Sequence, residues 1–330
     1  MDLDILKKAC YVSVVCLVLG GGNALLADSP TTIYTPRGSV VPDTWILDEM
    51  SAEDIAYWNW YVEEYYPNAT RLSDASRTYN CHGYAWHVSE GGNKVWIGYS
   101  TTTAEDIYWN DGSYDEMPSE TNATKVSYSG NHSAITTSQS AIYISKWGAL
   151  PLMRHHKNYC PGCYGSPSKY YRRSVDVPED YSTIQAAINA AVSGQTVHVA
   201  PGTYNEQVSM KSGVDLIGAG SGSTTIQYSG GTAVTFNNVN ARLSGFTLTG
   251  FVGVSIQNGS SAEVDHNTVT DSYVGIDVEG SNPTIHHNTI SENGSGEYNG
   301  GGMYTGSSSH PVMYNGHNNI QDNGGYGIAC

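Results

Sequence analysis

The 330-residue chain is short of cations: 15 Lys and Arg stand against 31 Asp and Glu, a formal charge of -16. No basic stripe exists, which argues against a nucleic-acid partner, because phosphate backbones are bound by clustered Lys and Arg. Phenylalanine is scarce at 3 residues, whereas 25 Tyr and 7 Trp give an aromatic set with polar edges, suited to stacking on sugars at a wet surface. After the N-terminus, no apolar run approaches the roughly 18 residues of a membrane span. At the start, Lys7 and Lys8 precede an apolar run from Ala9 to Leu19, and small residues follow at 23–27. That pattern predicts a signal peptide over residues 1–28, with an uncleaved anchor as the alternative, and a protein that is secreted or at the cell surface. Four cysteines remain after it: Cys81, Cys160, Cys163 and Cys330. In an exported chain, the Cys160-Pro-Gly-Cys163 run is expected to form a local disulfide staple, since zinc needs two further ligands.

The texture changes at residue 173. Up to there Trp, Tyr and His are dense and no repeat is visible. From 174 to 330 the chain is rich in Gly, Asn, Ser, Thr and β-branched residues and repeats near every 21 positions. Leu243, Val264 and Ile285 form one column. Thr247, Thr268 and Thr289 form a second, and Leu248, Val269 and Ile290 a third. Val234, Val254 and Ile276, with Phe236, Ile256 and Val278, repeat at steps of 20 and 22 and alternate with polar neighbours. Such alternation is strand periodicity, and coils of this length stack like side chains around a continuous core. Asn267 and Asn288 fall at one bend of successive coils, where asparagine tolerates left-handed backbone and stacked amides bond each other. A Gly-rich insertion at 294–302 lengthens one coil, and Tyr326-Gly327-Ile328 begins a further strand with no cap legible after it.

The other end carries a cap. Ser182-Thr183-Ile184-Gln185 has the form of a capping box, and Ile184, Ala187, Ile188 and Ala191 share one helical face. This segment, followed by Gly194-Gln195-Thr196-Val197-His198-Val199-Ala200-Pro201-Gly202-Thr203-Tyr204, resembles the opening of the pectate-lyase-like and pectin-esterase-like right-handed β-helix superfamily. The resemblance implies a polysaccharide-handling scaffold and leaves the chemistry open. Lyases of this superfamily use Ca²⁺ and a Lys or Arg base, but from 174 onward only Lys211 and Arg242 are available. Asp271 and Glu292 lie one coil apart, about 5 Å if the register holds, a spacing for Ca²⁺ or a glycosidase-like pair. Asp277 is a third ligand-binding candidate. Asp265 and His266 fall one coil below His286 and His287, where they pair, stack or bind metal.

Before residue 173, positions 51–66 read as a helix with Ile55, Trp58, Tyr61 and Val62 on one side, ended by Pro67. Next comes Tyr79-Asn80-Cys81-His82-Gly83-Tyr84-Ala85-Trp86. Cysteine hydrolases place the nucleophile at a helix start, near an imidazole that favours thiolate. Strand-like runs follow around His132-Ser133-Ala134-Ile135 and Ser145-Lys146-Trp147-Gly148. Together these motifs resemble the NlpC/P60 and CHAP-type papain-like amidases. By that resemblance Cys81 is the nucleophile, His132 the general base, and Asn80 or Tyr79 lies near the oxyanion. The orienting third residue is Ser145, or else His155 or His156. His82 and His87 read as packing residues.

The expected architecture is therefore multidomain: a signal peptide at 1–28, an α+β papain-like domain at 29–173, and an all-β right-handed parallel β-helix at 174–330. The expected function is a secreted thiol amidase or peptidase held at its target by a polysaccharide-binding β-helix, with cell-wall glycan as partner. No cofactor is expected apart from Ca²⁺ at the acidic column, and no other metal. A β-helix lyase or glycosidase is one alternative; a noncatalytic adhesin or scaffold is the other.

Overall fold

The computed structural model describes residues 28–294, 300–314 and 317–330, so the signal-peptide expectation lies almost wholly outside the described residues. The chain divides into two compact units after Arg173.

The first unit is mostly sheet. Its seven-stranded antiparallel sheet runs in the order Thr70–Arg71, Leu152–His156, Ile142–Lys146, His132–Thr136, Lys125–Tyr128, Pro167–Arg173, Tyr114–Met117. A small three-stranded sheet joins Ser29–Pro30, Thr44–Ile46 and Trp96–Ile97. The expected first helix spans Ala52–Tyr65, with the Ser51 hydroxyl accepting from the Asp54 amide and Tyr61 and Val62 buried. A second helix, Cys81–Trp86, packs on strand His132–Thr136. Its cap explains Asn80: Oδ1 accepts from the amides of Gly83 (2.8 Å) and Ile97 (3.2 Å), and Nδ2 donates to the Ile97 carbonyl at 2.8 Å. Gly83 is obligatory there, because a Cβ would stand 2.0 Å from the Val95 carbonyl oxygen. Around Trp86 the core is aromatic, with Tyr108 stacked at 5.4 Å and Tyr114 and Tyr171 edge-on at 5.2 and 5.5 Å. The expected Cys160–Cys163 staple is not formed, because Cys160 is a free thiol, as are Cys81 and Cys330.

The second unit is a right-handed β-helix of about seven turns, one face of which is a seven-stranded parallel sheet from Val175–Val177 to Val312–Met313. The sequence columns are register columns. Leu243 pairs with Val264, Val264 with Ile285, and Ile285 with Met313. Val234, Val254, Ile276, Met303 and Ile328 follow one another in the same way on another face. The aliphatic members of these columns down to Ile290 are fully buried, forming one continuous core. The turns are held by amide ladders. Asn267 Oδ1 accepts from Phe246 N, Asn288 Oδ1 from Asn267 N, and Asn318 Oδ1 from Asn288 N, each at 3.0–3.1 Å. A second ladder, Asn293 and Asn323, does the same at the other bend. Asn267, Asn288, Asn293 and Asn323 each follow a residue in left-handed backbone, namely His266, His287, Glu292 and Asp322. The capping helix spans Ile184–Ala190, but its N-cap is Thr183 rather than Ser182. The Thr183 hydroxyl accepts from Ala186 N, and the Glu206 carboxylate, reaching from the next coil, accepts from the amides of Ile184 and Gln185.

Candidate functional sites

In the first unit the fold brings together two dipeptides far apart in sequence. Cys81 lies buried at the start of its helix, beside the imidazoles of His82 and His132. Burial alone pushes the thiol up, but the two imidazoles overcome it and hold Cys81 well below its ordinary 9.0. The helix has only six residues, so imidazole charge rather than a long helix dipole carries this effect. His82 is the complementary group. Burial pushes it down, yet the Cys81 thiolate and the Glu105 carboxylate raise it from 6.5 to about 9. Its Nδ1 lies 2.9 Å from Ser133 Oγ and 3.2 Å from Glu105 Oε1, and Nε2 lies 3.1 Å from Asn131 Oδ1. Oxygen acceptors at both nitrogens fit a doubly protonated ring. His82 is thus a satisfied packing residue, as expected from the sequence, and in addition it lies beside the Cys81 thiol, which it lowers.

His132 sits differently. Its ring stacks flat on Tyr164, centroids 3.8 Å apart and planes within 3°, with Tyr128 edge-on at 5.1 Å. Both ring nitrogens are buried, and neither has an aligned hydrogen-bond partner among the described residues, while the ring stands near enough to Cys81 to lower its thiol. Ser145 does not orient this ring. Its hydroxyl donates to His155 Nε2 at 2.8 Å and accepts from Trp147 Nε1 at 3.0 Å. His155 Nδ1 donates to the His156 carbonyl, and burial keeps the ring neutral, down to about 4, so this pair is a core strut. The Asn80 side chain is consumed by capping, which removes it from the oxyanion role. Tyr79 directs its hydroxyl to Ser73 Oγ at 3.2 Å, while the buried Lys146 ammonium lies 4.9 Å from its ring. Glu105 and Asn131 were missed, and only the adjacency of Cys-His and His-Ser hinted at the cross-facing pairs.

In the β-helix, Asp271 lines a groove of about 620 Å³ with Asn205, Gln227, Tyr228, Thr249, Phe251 and Tyr273 among its walls. Phe251 and Tyr273 stack at 4.9 Å and 16°, and Phe251 is 56% exposed. Neither aromatic was singled out from the sequence, because both sit beside bends rather than in the apolar columns. Asp271 and Glu292 share left-handed backbone at one bend of neighbouring coils, and both are exposed. Asp277 stands apart, in an outward register column between Ser255 and Tyr304, its carboxyl raised by burial and by Glu279. The two cations available to a lyase are both occupied. Lys211 Nζ donates to the carbonyls of Asn189 and Ala191, capping the short helix. Arg242 makes a two-pronged pair with Asp265 at 2.7 and 2.6 Å. Neither is placed as a free base.

A family model described as a right-handed β-helix region matches residues 205–330. No curated protein matches the chain. Among solved structures, a pectin methylesterase mutant in complex with a hexasaccharide is similar at 11% identity and a TM-score of 0.30, covering 43% of this chain and 66% of that one. Pectin methylesterase PemA from Erwinia chrysanthemi is similar at 11% identity and a TM-score of 0.29, covering 42% and 60%. The chain thus spans somewhat less than two thirds of these structures.

Among the described residues, no helix is long and apolar enough to cross a membrane.

Proposed function

We propose that the β-helix binds a polysaccharide along the groove at Phe251, Tyr273 and Asp271. The observation that carries this is the stacked Phe251–Tyr273 pair, exposed over a groove whose other walls are amide, hydroxyl and carboxylate groups. Apolar ring faces cover the C–H faces of a sugar, while Asn205, Gln227 and Thr249 offer donors and acceptors for its hydroxyls. The groove's lining contains Asp271 and no Lys or Arg, which suits an uncharged polymer better than a uronate. Retention of the full chain on insoluble neutral glycans, set against uronate polymers, tests it; retention on none of them removes it.

A second reading belongs to the first unit: a thiol hydrolase, amidase or peptidase in class, with Cys81 as nucleophile and His132 as proton acceptor. It rests on the placement of the buried Cys81 thiol beside two imidazoles, which lower it. In this reading the thiolate attacks a carbonyl carbon, and protonated His132 hands its proton to the leaving amine before water releases the acyl group. His82, already hydrogen-bonded on both ring nitrogens, stabilises the thiolate instead. Release of amine from peptide or cell-wall substrates, abolished by Cys81→Ala, tests it. Export of the protein, which either reading assumes, follows the signal-peptide expectation and is tested by N-terminal sequencing of the mature chain.

A further inference from the structure

Away from both sites, four histidines gather at one bend of the β-helix. His266 and His287 occupy equivalent left-handed positions on neighbouring coils, and their rings are parallel within 2° at 4.9 Å. His317, one coil further, lies 4.4 Å from His287, centroid to centroid. His286, beside His287 in sequence, turns its Nδ1 to within 2.8 Å of the His287 Nδ1. Its other nitrogen, Nε2, lies 3.1 Å from Glu263 Oε1.

We propose that this bend is a binding site for a transition-metal dication of the Zn²⁺ or Ni²⁺ class, with His286 and His287 as the chelating pair through Nδ1. Three features carry the assignment. Two imidazole nitrogens meet 2.8 Å apart, close to the roughly 3.3 Å that separates two ligands of a tetrahedral ion at about 2.0 Å. The Nε2–H of His286 donates to a carboxylate, the arrangement that fixes the tautomer and ring orientation of metal-binding histidines. Imidazole is a ligand for Zn²⁺, Ni²⁺ and Cu²⁺ rather than for Ca²⁺ or Mg²⁺.

The alternative trio Glu263, Asp265 and His286, whose ligand atoms lie within 4.8 Å of one another, is the poorer seat. Both Asp265 oxygens are taken by Arg242, with Ser244 and His266 also on Oδ2, so an ion there would face a guanidinium. At the His286–His287 pair no cation must leave. In the metal-free protein the His287 Nδ1–H donates to the bare Nδ1 of His286. Binding asks that His287 carry its proton on Nε2 instead, which leaves both Nδ1 atoms open to the ion. Water completes the shell around the two imidazoles.

Calorimetric titration of the full chain with Ni²⁺ and separately with Zn²⁺, in wild type and in His286→Gln/His287→Asn, tests the site. Asparagine keeps the left-handed backbone at 287 accessible. The double variant is expected to bind one equivalent fewer than wild type, or to bind it at least tenfold more weakly, and to keep the wild-type unfolding midpoint. His310→Gln is expected to change nothing. Single His287→Asn, should the double variant unfold, is read by Cu²⁺ electron paramagnetic resonance as the loss of one coordinated nitrogen. Equal stoichiometry and affinity in wild type and double variant, or an unchanged nitrogen count in the single variant, would overturn the site.

Discussion

The two units bury their interiors by different means. The β-helix stacks Val, Leu and Ile in columns that contact only neighbouring coils, and pays its polar debts with repeated Asn ladders. The first unit packs Trp and Tyr rings around buried titratable groups, among them His82, Glu105, Lys146 and His155. One interior is a repeat, in which each residue's role is copied from the coil before. The other is a convergence, in which a role exists only because distant segments meet. Chemistry that depends on shifted charge falls in the second kind, and extended surface recognition in the first.

The comparison breaks most sharply at Cys81. If the first unit is the reactive one, Cys81→Ala lowers amidase turnover by about a thousandfold or more, as expected for loss of a covalent nucleophile. The same change leaves glycan retention untouched. Alkylation followed by mass spectrometry adds a pH axis. Cys81 is lowered by its imidazoles, whereas burial pushes Cys160 up to about 11, so the pH midpoint of labelling should lie far lower for Cys81. Equal midpoints would remove the distinction.

The repeat side is tested at Asn293. Its Oδ1 accepts from Ser272 N at 3.1 Å, and its Nδ2 donates to the carbonyls of Val269 and Ser291 at 2.9 and 3.0 Å. Asn293→Ala strands these buried backbone groups and should cost about 2–4 kcal/mol, read as a lower midpoint of β-helix unfolding. A loss below about 0.5 kcal/mol, the scale of an ordinary surface substitution, would show that the ladder is decorative.

A smaller effect separates the two charges of the first unit. His82, raised from 6.5 to about 9, contributes stability in full below 6.5 and loses it as the pH rises through about 9. Cys81, lowered from 9.0, contributes above 9.0 and loses that as the pH falls through its folded value. Between 6.5 and about 9, therefore, the contribution of Cys81 rises while that of His82 falls. Cys81→Ser removes the larger of the two partners that raise His82, so the His82 titration seen by NMR should move down from about 9. A midpoint unchanged in Cys81→Ser would assign the shift to Glu105 alone.

These differences also set what could be read from sequence. The columns through Leu243, Val264 and Ile285 were legible because a parallel coil puts like residues in register, and periodicity records register directly. Asn267 and Asn288 were legible for the same reason. The second ladder at Asn293 and Asn323 was not, since the lengthened coil breaks the step of 21. In the first unit, the Cys81 and His132 motifs were visible as resemblance, but their surroundings were not. Nothing local marks Glu105 as the partner of His82. Nor does anything mark Tyr164, just after the Cys-Pro-Gly-Cys run, as the ring that covers His132. Ser145 looked like an orienter by position, yet the fold pairs it with His155 across the adjoining strands. The groove aromatics escaped because Phe251 and Tyr273 lie outside the buried columns.

Binding of soluble neutral oligosaccharides by wild type and by Phe251→Ala, followed by calorimetry, addresses the glycan groove most directly. Loss of the exposed ring should weaken binding by about tenfold, the roughly 1.4 kcal/mol expected for one aromatic–sugar stack, with the unfolding midpoint unchanged. Equal affinity in the two proteins, or no measurable binding by wild type, would contradict the assignment of this face to polysaccharide.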